Sequence, residues 1–359
     1  MELYAKARTG RGAPRDLPNR FERLVQDLDP DVVQPDPSEE GEILPNPQTI
    51  FLDDTTESII VRNNSPDVGF AAGINPYRGC EHGCAYCYAR PYHEYLGFSA
   101  GLEFETKIMV KRRAAELLRR ELSKPKYVPE PLGMSGVTDC YQPAERKFRI
   151  TRSCLEVLAE FRNPVSLITK NFLITRDLDV LKELASFGGG HAFISITTLN
   201  AELASKMEPR ASRPGHRLRA IEMLARAGVP VGVMVAPIVP GLNDREIPAV
   251  LEAARKAGAI TAGYTLLRLP YGVKDIFTDW LRVNFPEKLD RILGTVREVR
   301  GGKLNVSEFG TRMRGEGKYA EQIGQMFHVF RERLGYGKMR ELSTEHFRRP
   351  GAQQMMLGV

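Results

Sequence analysis

The sequence predicts an α/β protein whose parallel sheet curls into a partial or complete barrel of six β/α units, with an irregular N-terminal arm and a C-terminal helical extension. Three observations carry that expectation. Apolar strand-like runs alternate with helical patterns through most of the 359 residues, polar groups stand just past the end of each run, and three of the five cysteines crowd into the eight positions from Cys80 to Cys87. Such alternation is the pattern of parallel strands joined by right-handed crossover helices. The chain then divides into an N-terminal extension (1–64), a core (65–300) and a C-terminal helical extension with a tail (301–359).

Residues 1–48 mix Arg8, Arg11, Arg15, Arg20 and Arg23 with an acidic, proline-bearing run from Asp29 to Glu40, and show no sustained period. They read as an extended arm, or as a cover over the mouth of the core. Thr49–Leu52 and Ser58–Val61 read as short strands on either side of a turn at Asp53-Asp54. Lys111–Leu122 reads as an amphipathic helix ended by Pro125. The core strands are one before Cys80, then Leu132–Val137, Pro164–Thr169, Ala192–Thr197, Val229–Val239 and Ile260–Leu267. Between them lie helical patterns at Ile150–Phe161, Leu178–Phe187, Arg217–Ala227 and Arg245–Ala257. Cys154 falls on the buried stripe of the first of these and reads as core. Val273–Trp280, Pro286–Val299 and Tyr319–Leu334 read as closing helices, and residues 348–359 as a frayed end.

The polar residues past the strands are Thr138-Asp139, Thr169-Lys170-Asn171, Thr197-Thr198 and Arg268. In a β/α barrel the C-terminal strand ends form the catalytic rim. These side chains are therefore expected to converge above the cysteine loop, with Asn200 set apart as a helix cap.

Composition narrows the class. A hydrophobic share of 42% and a charged share of 27% are those of a soluble globular chain, and no apolar run approaches the ~18 residues needed to span a bilayer. The start, Met1 to Lys6, lacks the apolar stretch of a secretory signal, so a cytoplasmic location without a membrane partner is expected. A formal charge of +6 is compatible with a nucleic-acid partner without requiring one. No glycine-rich phosphate loop occurs, which leaves nicotinamide and nucleoside triphosphate chemistry unsupported.

Three thiolates on a short loop, with Gly79 and Gly83 to fold it tightly, select a soft metal centre. Structural zinc wants four ligands, and no second cysteine pair supplies them; His82 or His93 would have to. A four-iron cluster held by three cysteines would leave one iron open.

The spacing Cys80-x3-Cys84-x2-Cys87, with Tyr86 before the last cysteine and Tyr88 after it, resembles the signature of the radical S-adenosylmethionine superfamily. Thr138-Asp139-Cys140-Tyr141-Gln142-Pro143-Ala144-Glu145 resembles its spore photoproduct lyase-like branch, which is often labelled DNA repair photolyases. Similarity extends to Pro76–Cys80, Thr169-Lys170, Arg176–Asp179, Glu208-Pro209-Arg210 and Arg268-Leu269-Pro270, so residues 65–345 take part. The resemblance implies a partial (β/α)6 barrel, a [4Fe-4S] cluster on Cys80, Cys84 and Cys87, and S-adenosyl-L-methionine cleaved reductively to a 5'-deoxyadenosyl radical. It also implies a flavodoxin- or ferredoxin-like electron donor and damaged DNA as the substrate class, with RNA, a peptide or a small metabolite as the alternative. A non-catalytic metal-stabilised nucleic-acid binder is the third reading.

Position by position, Tyr86 would lie near the adenine, Asp139 and Lys170 would meet the methionine moiety, one of Ser195 and Thr197 would reach the carboxylate or ribose, and Arg210 would either form an ion pair with Glu208 or contact the cofactor carboxylate. Charge agrees, since a lysine suits the cofactor's carboxylate and an aspartate its cationic groups. The chain departs from the branch at Cys140, where proline is usual, and a thiol there could hand a hydrogen atom to a substrate radical or be a passive turn residue. Tyr88 is the other hydrogen-transfer candidate. Tyr271-Gly272 also departs from the bulky-acidic pair expected after Pro270.

Overall fold

The structure is a computed structural model that describes residues 10–22 and 47–350. Arg8, Arg23, the acidic run at 29–40 and the last nine residues lie outside the described residues. Two sheets are built from β1 (Ile50–Asp53), β2 (Ile60–Arg62), β3 (Ala72–Ile74), β4 (Tyr77–Arg78), β5 (Lys107–Val110), β6 (Leu132–Met134), β7 (Val165–Thr169), β8 (Gly190–Ser195), β9 (Val231–Ile238) and β10 (Thr261–Leu266).

The larger sheet has the order β10-β9-β8-β7-β6-β3-β2. Its strands from β3 to β10 are mutually parallel, and β2 is added antiparallel at one edge. Each parallel pair needs a crossover: the one from β3 to β6 carries the cysteine loop and the expected helix Ala114–Leu122, and the other four are supplied by Ile150–Phe161, Leu178–Ser186, Pro214–Arg226 and Ile247–Lys256. The first of these four shows why. Ile150, Cys154, Leu155, Leu158 and Phe161 recur at helical spacing and are all buried, while Arg162 ends the helix in the left-handed conformation. Leu132, Leu167, Ile194 and Val233 share one sheet face by register and lie in the apolar core that the crossover helices complete. Among the described residues β2 and β10 pair on one side only, so the barrel is partial and open.

The two short strands expected on either side of Asp53-Asp54 both form, as β1 and β2, but they do not pair with each other. β1 joins β5 and β4 in a separate three-stranded sheet, while β2 joins β3. The small sheet has a positional consequence. β4 runs directly into Gly79-Cys80 and β5 returns from the far end, so the cysteine loop hangs between two paired strands. The helices Val273–Asn284, Leu289–Glu298 and Gly317–Arg333 follow β10, and Phe327 of the last packs its ring 4.6 Å from that of Tyr264 on β10.

Candidate active site

Past the C-terminal ends of the central strands lies a cavity of about 240 Å3. Cys80, Cys84, Cys87 and Tyr88 bound it from the loop, and Asp139, Lys170, Ser195 and Arg268 from the strand ends. A shallower depression of about 440 Å3 along β10 meets it at Met234, Thr265 and Met313, and contains none of the cysteines. The barrel-rim expectation thus places the chemistry-bearing groups in the smaller cavity.

The loop owes its shape to backbone contacts that leave no room for side chains. Gly83 is left-handed at φ +65°, and a Cβ there would stand 2.6 Å from a Glu105 carboxylate oxygen. Gly79, at φ +77°, would drive its Cβ to 2.9 Å from the Phe104 carbonyl. The Cys80 amide donates to that same carbonyl at 2.9 Å. Buried Gln142 ties the loop to the end of β6: its side-chain oxygen accepts from the Glu81 amide at 2.9 Å and its amide nitrogen donates to the Gly79 carbonyl at 3.1 Å. Burial, followed by nearby negative groups such as Asp139 and the companion sulfurs, pushes the Cys80 thiol up; burial likewise raises Cys84 and Cys87. A coordinated metal reverses that penalty by taking the thiolates.

Among the described residues no three Cys, His, Asp or Glu side chains gather closely enough to hold one ion. Mononuclear zinc requires such convergence, with ligands at about 2.0–2.3 Å. Thiolates on separate irons of a cluster do not share one point, and the loop suits that case. His82 is already engaged, with Nε2 3.0 Å from the Asn171 side-chain nitrogen and Nδ1 3.4 Å from Asp139.

Across the cavity Asp139 is heavily used. One carboxylate oxygen accepts from the Tyr141 amide at 2.9 Å and the Thr169 hydroxyl at 2.7 Å; the other accepts from the Lys170 amide at 2.9 Å and faces His82. Burial would raise its pKa, but the charge and bonding of His82, with the Thr169 and Lys170 donors, hold it at about 2. A carboxylate offers about four acceptor positions, and these are filled. Asp139 therefore latches β6 to β7 and presents its charge to the cavity. Lys170 is the opposite case: among the described residues its Nζ has no hydrogen-bond or ion-pair partner and stands 5.9 Å from the centre of the Tyr86 ring. Tyr86 is fixed from behind, its hydroxyl bonded to Glu208, which also takes the Thr197 hydroxyl and the buried Arg217 guanidinium. Burial would raise Glu208, but the positive charges of Arg217 and Lys170 pull it below its ordinary value.

Of the expected site residues, the three cysteines, Tyr86, Tyr88, Asp139, Lys170 and Ser195 line the cavity. Three do not. Thr197 turns away to Glu208 and Tyr86. Arg210 is held by Glu81 at 2.9 Å and by the Thr49 hydroxyl, and the ion pair expected between Glu208 and Arg210 is replaced by Glu208–Arg217. Cys140 is fully buried in the apolar core, one residue beyond the latch at Asp139, and that placement removes it as a hydrogen donor to anything in the cavity. Tyr88 is 42% exposed, and its hydroxyl donates to the Gly136 carbonyl at 2.7 Å. Asn200 caps the helix Ala201–Met207 as expected. The sequence reading missed Arg217, Arg90 and Glu105 as supports of the site. Arg90 was open to view, as the third residue after Cys87.

Residues 74–254 match the family described as the Radical SAM superfamily. The chain belongs to that superfamily. Members use a [4Fe-4S] cluster with S-adenosylmethionine and draw electrons from a reductant, and the cavity fits both groups: three thiols on one wall and an unpaired ammonium on the other. An uncharacterized protein of Mycobacterium tuberculosis is 34% identical over 230 residues, covering 64% of this chain and 68% of that one. A radical SAM Nalpha-GlyT isomerase of Pseudomonas phage M6 is 28% identical over 169 residues, covering 46% and 33%. Spore photoproduct lyase complexed with dinucleoside spore photoproduct superposes with a TM-score of 0.56 at 15% identity, over 79% of each chain, which shows a shared fold. No helix among the described residues is long and apolar enough to cross a membrane.

Proposed function

We infer that Cys80, Cys84 and Cys87 hold the cluster and that Lys170 receives the carboxylate of S-adenosylmethionine, in a radical enzyme acting on damaged DNA in the cytoplasm. The observation that carries the cofactor assignment is Lys170, which lines the cavity with the three thiols and whose ammonium has no hydrogen-bond or ion-pair partner among the described residues. A buried or half-buried ammonium left unpaired is costly, and a carboxylate ligand relieves it. When bound, the cluster and cofactor supply a 5'-deoxyadenosyl radical, with electrons from a flavodoxin- or ferredoxin-like donor.

This chain's residues do the rest. Tyr86, pinned by Glu208, offers its ring to the adenine, and Ser195 offers a hydroxyl to the ribose or the carboxylate. Asp139 contributes its field to the cofactor's cationic groups without giving a new hydrogen bond. Tyr88 is the residue placed to give a hydrogen atom to a substrate radical. Support for an anionic substrate comes from Arg268 at the mouth. Its guanidinium lies 4.9 Å over the Tyr88 ring and, among the described residues, has the Met313 sulfur as its hydrogen-bond partner, while nearby Asp67 is taken by Arg312 and the Gly310 amide. A phosphodiester suits that cation. The name of one similar solved protein, spore photoproduct lyase complexed with dinucleoside spore photoproduct, agrees with a nucleic-acid substrate.

The test is anaerobic incubation of reconstituted protein with S-adenosylmethionine, dithionite and ultraviolet-irradiated oligothymidylate. 5'-Deoxyadenosine formed with the irradiated strand and not with the untreated one supports the reading. Formation stimulated instead by RNA or a peptide would move the substrate class.

A further inference from the structure

The N-terminal segment 10–22 forms no helix or strand, as expected of an irregular arm, but it is packed against the protein and does not cover the cavity. None of its residues lines the cavity, and Gly12, Ala13, Pro14 and Asn19 are buried. Its anchor is Glu105, a carboxylate with no exposure, which accepts from the Gly12 amide at 3.1 Å and the Ala13 amide at 2.8 Å. Arg11 closes the same joint by donating to the Glu105 carbonyl at 3.0 Å and to the Pro47 carbonyl at 2.7 Å.

Glu105 also pairs with Arg90, whose side chain is likewise fully buried. Arg90 in turn grips the Cys84 carbonyl with two nitrogens, at 3.1 and 2.9 Å, and the Ala100 and Gly101 carbonyls at 3.1 and 2.8 Å. A short chain of charge-assisted bonds thus runs from the segment's backbone to the carbonyl of the middle cysteine. Direct contact adds to it: a Cβ on Gly12 would fall 1.7 Å from the Gly83 carbonyl oxygen and 2.9 Å from the Ala85 amide nitrogen. Further on, the Leu17 amide donates to the Ser99 hydroxyl at 2.8 Å, and Arg15 pairs with Asp279 on the helix Val273–Asn284 at 2.9 Å.

We propose that residues 10–22 are a strap that fixes the cysteine loop in its ligating shape, with Gly12 and Glu105 as positioning residues for the cluster. The physical reason is pre-organisation. Three sulfurs on a glycine-bearing loop hold a cluster only while the loop stays folded, and the strap supplies two amide donors and a close backbone contact that keep it so. Without them the buried Glu105 keeps acceptor positions unfilled, and its partner Arg90, which grips the Cys84 carbonyl, is less firmly held.

The proposal rests on the cysteines being the cluster ligands, so its experiment begins with iron-free protein. Native-state hydrogen exchange of the full chain should show the amides of Ala13, Ala85 and Cys87 opening together, before the amides of β7 and β8. Gly12→Val and a chain starting at residue 23 should speed exchange of 80–90 while leaving β7 and β8 unchanged. After reconstitution, the same variants should release iron to a chelator about tenfold or more faster, as expected for losing charge-assisted bonds worth about 1.5 kcal/mol or more, and should show a broadened cluster electron paramagnetic resonance signal. Arg15→Ala, at the exposed end, should match wild type. Loop amides that open independently of Ala13 in the wild type would overturn the strap, whether or not the variants fold. Wild-type protein that takes up no iron would instead overturn the ligand assignment and leave the exchange result to judge the strap.

Discussion

The two walls of the cavity are built on opposite rules. On the loop wall and behind it the strong polar groups are spent on the protein: Arg90 and Glu105 on one another and on backbone, Gln142 on the loop, Glu208 on Arg217, Tyr86 and Thr197. On the mouth side neither Lys170 nor Arg268 has an ion-pair partner among the described residues. A satisfied buried network fixes shape, and a cation left without an ion pair is the kind of group that receives an anionic ligand. The walls therefore separate residues that make the site from residues that use it, and mutation should separate them too.

The largest effect belongs to the loop. Alanine at Cys80, Cys84 or Cys87 should abolish iron binding, because each removes one of only three thiolates, whereas Cys140→Ala and Cys154→Ala should keep full iron. Iron content of the five variants checks this, and iron lost only from the Cys154 variant would invert the assignment. Next comes the support behind Tyr86. Arg217→Ala leaves Glu208 buried and uncompensated and should cost about 3–5 kcal/mol of stability, read by denaturant unfolding of iron-free protein. An unchanged midpoint would mean that this wall is not organised by its ion pair.

How far the sequence reached differs between the same two walls. Periodicity located the six parallel strands and the crossover helices closely, because buried strands and amphipathic helices write their pattern locally. The cysteines were legible through their spacing, Lys170 through its strand-end position, and Tyr86 and Ser195 through the family resemblance; all of them line the cavity. Thr197 and Arg210 were misplaced because a partner distant in sequence decided each: Glu208 drew in Thr197, and Glu81 with Thr49 held Arg210. Cys140 failed for a local reason. The Asp139 carboxylate faces the strand end, and the next side chain turns into the core. The strap at residues 10–22 has no period at all, since backbone amides and glycine contacts carry it.

Smaller effects belong to the mouth. Lys170→Ala should weaken S-adenosylmethionine binding by about 1.5–3 kcal/mol, roughly tenfold to a hundredfold, while folding stability stays within about 0.5 kcal/mol. Calorimetric titration and unfolding of one preparation give both numbers. A large loss of stability would place Lys170 with the structural wall. Arg268→Ala should leave cofactor affinity alone and weaken oligonucleotide binding by about 1 kcal/mol, roughly fivefold, with a shallower salt dependence. Equal salt slopes in wild type and variant would remove the phosphate role.

The most direct test is spectroscopic. Anaerobically reconstituted protein, reduced with dithionite, is titrated with S-adenosylmethionine while its electron paramagnetic resonance spectrum is followed, in wild type and in Lys170→Ala. The expected result is a four-iron cluster signal that shifts on cofactor addition, with the shift moved to higher concentration in the variant. A wild-type cluster whose spectrum ignores saturating S-adenosylmethionine would contradict the account.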